Sequence, residues 1–276
     1  FIFVQYILFN KLSAMNYSVN LTGNRISKDG SIIGKVYDFQ NEMFQHEQSE
    51  LNVYKKNPQL TACDREVRIY NRHTQEEITA VMFGSNSYLG ATIWPEAVNK
   101  AVEVTREFGI GSGGVPLLTG TSIHQEQLEQ VIAKSSGFDD AILFSSGYTA
   151  NLGVISGLLR PNHLIIHDKL DHASLLDGTV LSGAKMVRYK HGNMEDLEKL
   201  IKENIDKYPK GILVVTDGIF SMDGDIANLP TILEIVNKYN VILLIDEAHA
   251  IGVIGEKGAG TLSHYGIKER KNIILT

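Results

Sequence analysis

The chain has 276 residues, of which 43% are hydrophobic, so it can bury a substantial core, and we expect a soluble globular protein with one large domain and a smaller appendage. Its formal net charge of −6 provides no basic surface, which argues against a nucleic-acid partner. A single cysteine, Cys63, excludes a disulfide within the chain, and no metal site is predicted.

The chain begins with the apolar segment FIFVQYILF, residues 1–9. This segment is too short to span a bilayer and lacks the charged leader of a secretory signal. We expect it to pack on another surface or to be a remnant of upstream sequence, and membrane association through residues 1–14 stays open. Residues 1–80 are less regular and more polar than the rest, which predicts a helical or irregular N-terminal segment that contributes to a small domain or a dimer contact.

From Val81 onward, short β-branched runs alternate with segments of helical periodicity. This alternation predicts βαβ units and an α/β large domain over residues 81–276, with a mostly parallel sheet between two layers of helices. Helices are predicted at EAVNKAVEVTREF (96–108), MEDLEKLIKENI (194–205) and LPTILEIVNKY (229–239). Buried strands are predicted at AILF (141–144), HLIIH (163–167), ILVVT (212–216), VILLI (241–245) and NIILT (272–276).

The tetrapeptide DEAH at residues 246–249 occurs in helicases that use it to hold magnesium, so a nucleotide-driven motor has to be considered. Such a motor needs a phosphate loop of the form G-x-x-x-x-G-K-[ST]. The nearest match, GSIIGKV at Gly30, is one residue short and has Val36 where a hydroxyl should bind magnesium. The segment GIGSGG (109–114) satisfies G-x-G-x-x-G but follows a predicted helix instead of a strand, which disfavours a dinucleotide-binding fold.

A better candidate for an anion site follows the predicted strand AILF. There Ser145, Ser146, Gly147 and Tyr148 lead into a helix. The free amides of a helix N-terminus bind anions, and small residues allow a ligand to approach closely. A capped turn that binds no ligand is the alternative.

Polar residues also follow the other predicted strands. They are His167 and Asp168 leading to His172, Asp217 leading to Ser221, and Asp246 leading to His249. In an open parallel sheet, ligands bind at the carboxyl ends of the strands, so we expect these groups to converge on one crevice.

Six segments occur in the order SNSYLG (85–90), GSGG (111–114), SSGYTAN (145–151), DHASLLDG (171–178), TDGIFSMDGDIANL (216–229) and DEAHAIGVIGEKGAG (246–260). Each is weak alone, but together they are specific and cover the chain from about Phe83 to its end. In these segments the chain resembles the α-oxoamine synthases, enzymes of fold type I that depend on pyridoxal phosphate (PLP). The resemblance implies the PLP-binding large domain of that fold.

The resemblance also implies roles for the matched residues. Asp246 matches the carboxylate that keeps the pyridine nitrogen protonated, so that the ring can absorb carbanion charge. His172 matches the histidine that stacks on the ring, and His249 matches the donor to the phenolic oxygen; with Asp246 they are the predicted catalytic residues. The other matched positions are Ser146, Gly147 and Tyr148 at the phosphate, Ser221 near the phenolic oxygen, Thr276 in the cofactor site, and Asn86 near the substrate carboxylate. Each residue also has an ordinary structural alternative, such as a helix cap.

The Schiff-base lysine of the family lies just beyond the threonine that Thr276 matches. We therefore expect the lysine and a C-terminal domain to follow in a longer polypeptide. A lysine-less partner subunit of a heteromeric enzyme is the alternative. The retention of Asp246, His249 and His172 together favours an active enzyme.

The activity implied by the resemblance is a decarboxylative condensation of an amino acid with an acyl-CoA. The lysine would remove the α-proton, the resulting carbanion would attack the thioester, and loss of CoA and CO₂ would yield an amino ketone. A serine palmitoyltransferase-like reaction of serine or glycine, and thus a role in sphingolipid biosynthesis, is favoured. 8-Amino-7-oxononanoate synthase and glycine C-acetyltransferase are the alternatives. A cytoplasmic homodimer is expected, with the GSGG segment near the partner.

Overall fold

A computed structural model of the chain describes residues 31–47 and 57–276. The chain divides into two compact units, residues 1–109 and 110–276. The apolar segment at residues 1–9 lies outside the described residues. The domain boundary that the sequence predicts near Ala80 falls within a strand of the first unit. The division into domains at that position stays a prediction.

In its described residues, the first unit contains a hairpin and two α-helices. In order they are α1 (Ile32–Glu47), β1 (Glu66–Asn71), β2 (Glu76–Val81) and α2 (Pro95–Phe108), with a short 3₁₀ turn at Ala91–Ile93. The two strands pair antiparallel, with Glu66 opposite Val81. Helix α2 confirms the helix predicted at 96–108. It begins at Pro95, whose fixed φ angle suits a first helical position, and ends at Gly109.

The second unit alternates strands and helices. A π-helical turn at Pro116–Gly120 precedes α3 (Ile123–Ser136), α4 (Gly147–Leu158), β3 (Leu164–Asp168), α5 (Ala173–Ser182), β4 (Lys185–Tyr189), α6 (Met194–Asn204), β5 (Ile212–Asp217), α7 (Leu229–Tyr239), β6 (Ile242–Asp246), α8 (Gly260–His264) and β7 (Ile273–Leu275). The helices predicted at 194–205 and 229–239 are α6 and α7. Among the described residues, no helix is both long and apolar enough to cross a membrane.

The strands of the second unit form one sheet of five parallel strands in the order β4-β3-β5-β6-β7. The carboxyl ends of all five strands therefore lie along the same edge of this sheet. Four of the predicted strands coincide with β3, β5, β6 and β7. The prediction of an α/β fold with a mostly parallel sheet is thus confirmed.

Side chains alternate between two cores on opposite faces of this sheet. On β3, Leu164 and Ile166 belong to a core that also contains Leu197 of α6. Ile165 belongs to a second core, with Ile155 of α4. These five side chains are fully buried, and each stabilises the fold by roughly 2 kcal/mol. Burial on both faces explains why the strands are almost continuously apolar, and it gives the three layers that the sequence predicts.

Two sequence-based strand assignments need correction. The segment AILF, 141–144, forms no strand: it has no partner strand, and Ile142 is 77% exposed. Strand β4 is missing from the prediction because Lys185 and Arg188 interrupt its apolar pattern. An edge strand tolerates such charges, since only one of its sides pairs with the sheet.

Candidate active site

Four buried aspartates lie at the carboxyl ends of three neighbouring strands. They are Asp168 at the end of β3, Asp171 in the turn after it, Asp217 at the end of β5, and Asp246 at the end of β6. Asp217 and Asp246 are directly opposite each other in the parallel register, and the Gly218 amide donates to the Asp246 carbonyl at 2.7 Å. The structure thus brings together Asp168, Asp217 and Asp246, which the sequence predicts at one crevice, and it adds Asp171.

The Asp246 carboxylate is held by two donors. The side-chain amide of Asn151, in α4, donates to Oδ2 at 2.8 Å, and the backbone amide of Ala248 donates to Oδ1 at 3.0 Å. Asn151 uses its second amide hydrogen on the Ser174 hydroxyl, also at 2.8 Å. Because all three side chains are buried, they form a fixed support beneath the crevice.

His172 is linked to the same support. Its Nδ1 lies 2.7 Å from the Ser174 hydroxyl, and its backbone amide donates to Asp217 Oδ1 at 3.3 Å. His172 is the N-cap of α5, so its backbone is held at the start of that helix. The residue is nevertheless exposed. The ring of Tyr148 approaches it edge-on, with 6.1 Å between ring centroids. A continuous chain of hydrogen bonds therefore runs from Asp246 through Asn151 and Ser174 to His172.

The small residues predicted as an anion site form the first turn of α4. The Ser146 hydroxyl accepts the Thr149 amide at 3.1 Å, and the Thr149 hydroxyl accepts the Ser146 amide at 3.0 Å, which completes a capping box. No acceptor for the amides of Gly147 and Tyr148 is found in the described part of the chain. The capped turn therefore still has two amides that can bind an anion.

The Tyr148 hydroxyl donates to a carboxylate oxygen of Asp177 in α5. This hydrogen bond, followed by partial desolvation and the charge of Asp177, raises the pKa of Tyr148 above its usual 10.0. The phenol is thus neutral at physiological pH and fixed across the top of α4 and α5. The two helices pack closely there because position 178 is glycine: a Cβ atom would lie 3.1 Å from the Asn151 carbonyl oxygen.

The crowded carboxylates affect one another. Burial, with the charge of Asp246 next in importance, raises the pKa of Asp217 to about 7. Burial, with the charges of Asp217 and Asp168, raises the pKa of Asp171 well above its usual value. In the described residues, no lysine or arginine pairs with Asp217 or Asp246. A ligand with a cationic group would therefore be favoured beside these acids.

His167 and Asp171 form a buried pair behind the crevice. The Thr179 hydroxyl donates to the Leu175 carbonyl, so His167 Nε2 donates to Thr179 Oγ1 at 2.8 Å. Burial and the charge of Arg188 lower the pKa of His167 to about 4, so its Nδ1 carries no second proton at neutral pH. Nδ1 lies 2.9 Å from Asp171 Oδ2, which must then supply the proton. The sequence placed His167 at the crevice, whereas the structure makes it a buried support.

Three of the remaining predicted residues follow strands of the sheet, and the fourth lies in the first compact unit. His249 is half-buried in the turn after β6, and Ser221 is exposed in the loop after β5. Thr276 follows β7, where its amide donates to the Ile245 carbonyl at 3.0 Å and its carbonyl accepts the Glu247 amide at 2.8 Å. Asn86 is exposed in the first compact unit.

Glu247, which follows Asp246, is 3% exposed. Its carboxylate accepts the amide of Thr261 at 2.9 Å and the hydroxyl of the same residue. Burial raises its pKa, and the hydrogen bonds from Thr261 partly offset this effect. Gly260, at φ +82°, allows the close approach, because a Cβ atom there would collide with the Glu247 carboxylate. Glu247 thus fixes the loop that follows β6.

Besides Asp171, sequence reasoning missed Asn151, Ser174 and Asp177. All three lie in the quoted segments SSGYTAN and DHASLLDG. A helical repeat could have indicated Asn151, because it lies one turn beyond the Ser146–Gly147 cap. Their polar side chains on otherwise apolar helix faces were the available signal.

A parallel sheet with a polar crevice at its strand ends, beside a helix N-terminus, is typical of α/β proteins that bind a small charged ligand. A family model described as "Aminotransferase class I and II" matches residues 78–276. Over 195 residues the chain is 44% identical to serine palmitoyltransferase of Sphingobacterium spiritivorum, covering 71% of this chain and 48% of that protein. It is 41% identical over 193 residues to 8-amino-7-oxononanoate synthase 1 of Bacillus subtilis, covering 70% and 49%.

Solved structures give the same result. Serine palmitoyltransferase from S. paucimobilis with bound PLP superposes with a TM-score of 0.80 at 30% identity, over 89% of this chain and 60% of that one. 8-Amino-7-oxononanoate synthase from Francisella tularensis gives a TM-score of 0.59 at 31% identity, over 70% and 53%. The chain belongs to the aminotransferase class I and II family, and within it to the α-oxoamine synthases. It spans about half the length of the curated relatives it matches.

Proposed function

We propose that the whole protein is a PLP-dependent acyl-CoA:amino-acid C-acyltransferase that joins a small amino acid to an acyl-CoA with loss of CO₂. The observation that carries the proposal is the buried Asp246 carboxylate, oriented by Asn151 and Ala248 beside three further acids. A carboxylate in this position stabilises a cationic ring nitrogen and is itself stabilised by it. The PLP-bound relative of the same fold supports this choice of cofactor.

When bound, PLP supplies an electron sink for the carbanion formed at the α-carbon of the amino acid. Asp246 would hold the proton on the ring nitrogen, which keeps that sink effective. His172 would pack on the face of the ring, and its fixed backbone would limit tilting. His249 and Ser221 would orient the phenolic oxygen, with Thr276 at the adjoining strand end.

The first turn of α4 would bind the phosphate. The amides of Gly147 and Tyr148 supply donors, and Ser146 contributes its hydroxyl and the positive end of the helix dipole. The phosphate would thus lie at a helix N-terminus, and the ring nitrogen would lie at a strand end. Two anchors at opposite ends of a planar cofactor fix its orientation.

A serine palmitoyltransferase-like reaction, with serine or glycine as acceptor and a medium or long acyl chain, is the preferred substrate assignment. 8-Amino-7-oxononanoate synthase activity is the second candidate, because a relative of that name is 41% identical over a similar length. We also propose that the protein is a homodimer and that Asn86 contacts the substrate carboxylate from its exposed loop. Sedimentation of an active monomer would contradict the dimer.

Peptide mapping of the full natural polypeptide, reduced with borohydride after incubation with PLP, tests the cofactor. One phosphopyridoxyl group on a lysine just beyond Thr276 is expected. Release of CoA from acetyl-, pimeloyl- and palmitoyl-CoA, each with serine, glycine and alanine, then ranks the substrates. No labelled lysine and no CoA release, together with a stable complex with a catalytic homologue, would instead support a non-catalytic partner subunit.

A further inference from the structure

His191 connects two carboxylates that belong to different parts of the second unit. Its Nδ1 lies 2.8 Å from Asp168 Oδ1, and its Nε2 lies 3.0 Å from Asp225 Oδ2. Asp168 is 2% exposed at the end of β3, whereas Asp225 lies in the loop between β5 and α7. The ring of Phe220, in the same loop, meets the imidazole edge-on with 4.6 Å between centroids. The imidazole therefore bridges the sheet and this loop.

The two carboxylates determine which protonation state of His191 can form both hydrogen bonds. An ionised carboxylate only accepts hydrogen bonds, so both ring nitrogens of His191 must donate when Asp168 and Asp225 are ionised. A ring with two N–H groups is an imidazolium. A neutral ring has one N–H, so it can keep only one of the two hydrogen bonds. The bridge is consequently complete only while His191 is charged.

The loop in question, residues 218–227, is a compact turn that carries Ser221. Backbone hydrogen bonds join the Phe220 amide to the Asp225 carbonyl at 3.0 Å and the Ala227 amide to the Gly218 carbonyl at 3.0 Å. At its tip Met222 is 92% exposed. Of the side chains in this loop, Asp225 is the one that hydrogen-bonds His191, which in turn binds Asp168 at the neighbouring strand end.

We propose that His191 is a positioning residue: as an imidazolium it holds the loop 218–227, and hence Ser221, against the end of the sheet, and it releases the loop when it loses its charge. The clamp of Asp168, His191 and Asp225 stands on contacts within this chain. Its consequence for the cofactor oxygen near Ser221 rests on the proposed function.

The charges around His191 favour the clamp at neutral pH. Burial lowers the pKa of His191, but the hydrogen bonds and charges of Asp168 and Asp225 outweigh it and raise the pKa above 6.5. Other charged groups border the segment without contacting the ring: Asp171 accepts the Asp168 amide, and Asp196, at the start of α6, accepts the Lys190 amide. Because the folded-state pKa is raised, the clamp is complete below pH 6.5 and weakens as pH rises through the folded-state pKa.

Hydrogen exchange of the peptide that covers residues 218–227 tests the clamp on the full polypeptide. Asp225→Asn removes the charged partner from the loop, and His191→Gln removes the imidazolium. Asp223→Asn is the matched control, because Asp223 lies in the same loop and forms no side-chain hydrogen bond or ion pair in the described structure. Rates are corrected for the intrinsic pH dependence of amide exchange.

At pH 6, Asp225→Asn and His191→Gln are expected to exchange about threefold to fivefold faster than wild type, the range for a partly exposed ion pair. Asp223→Asn should stay within about twofold of wild type on the same scale. At pH 9 the peptide should exchange at similar rates in wild type, Asp225→Asn and His191→Gln. Equal exchange of wild type and Asp225→Asn at pH 6 would overturn the proposal.

NMR titration supplies a second measurement. The imidazole signal absent from His191→Gln identifies His191, and its pKa in the wild type is expected above 6.5 and lower in Asp225→Asn. A pKa at or below 6.5 would overturn the proposal. Neither measurement needs cofactor or substrate. A protein that failed to bind PLP would therefore contradict the proposed function and leave the clamp standing.

Discussion

Asn151 donates a hydrogen bond of 2.8 Å to the Asp246 carboxylate, although 95 positions separate them in the sequence. The same amide group donates to Ser174, which in turn contacts Nδ1 of His172. Asn151 therefore fixes the two residues that we propose to act on opposite parts of the cofactor ring. It is 2% exposed and acts through other side chains, so we regard it as a positioning residue.

Replacement of Asn151 by leucine keeps the approximate size of the side chain and removes both donors. The affinity for PLP is expected to fall about 10-fold to 100-fold, because a hydrogen bond to a charged group contributes roughly 1.5–3 kcal/mol. Equilibrium titration followed by cofactor absorbance measures the change. Asn204→Leu, in α6, is the control, since within the described residues that side chain hydrogen-bonds only the Leu200 carbonyl. Unchanged affinity in a folded Asn151→Leu protein would contradict the role of Asn151.

Asp217 makes stability depend on pH in the weakly acidic range. Burial and Asp246 raise its pKa from 3.8 to about 7, so the folded state binds this proton more tightly than the unfolded state. The contribution is complete below pH 3.8 and is lost as pH rises to about 7. Relative to Asp217→Asn, the wild type should lose up to about 4 kcal/mol of unfolding free energy across this window.

Urea unfolding at intervals between pH 4 and pH 8 measures this difference. Asparagine at position 217 keeps an oxygen that can accept the His172 amide, so the variant isolates the charge. Asp223→Asn, in the exposed loop that follows, serves as the control for removing an acid. Parallel pH profiles for wild type and Asp217→Asn would show that the proton on Asp217 is not coupled to folding.

Thr261→Val tests the buried support of Glu247. The substitution removes the hydroxyl donor and leaves the amide of residue 261 as the donor from that position. A buried carboxylate that loses a donor costs roughly 1–3 kcal/mol of unfolding free energy. Thermal and urea unfolding measure the loss. Thr231→Val, at a half-buried hydroxyl without a hydrogen-bond partner in the described structure, should change stability much less.

Tyr148 and Asp177 form a testable pair at the start of α4. The hydrogen bond to Asp177 raises the pKa of the Tyr148 phenol above 10.0. In a pH titration followed by ultraviolet absorbance, the signal of Tyr148 is the difference between wild type and Tyr148→Phe. This signal should show that Tyr148 ionises at a higher pH than an exposed tyrosine. Asp177→Asn should shift this ionisation toward lower pH. If Tyr148 titrated identically in wild type and in Asp177→Asn, the hydrogen bond between Tyr148 and Asp177 would not form in solution.

Local sequence pattern was sufficient for most of the sheet. Strands β3, β5, β6 and β7 are short, nearly continuous apolar runs because both faces of the sheet are covered. Pattern failed for β4, whose charged residues are allowed only because it lies at the edge, and for 141–144, where an apolar run has no strand beside it. Strands pair with segments that are distant in the sequence, so the composition of a single segment does not determine whether it joins the sheet.

The sequence by itself determined the α/β class, the family resemblance, and which acids and histidines follow strands, since these depend on local periodicity and on motif order. Only the tertiary structure decided that Asn151 reaches Asp246, that Asp171 hydrogen-bonds His167, and that His191 bridges two carboxylates. Hydrogen bonds and Coulomb interactions act over a few ångströms, and burial strengthens them. Which distant residues come within that range is determined by the packing of helices on the sheet.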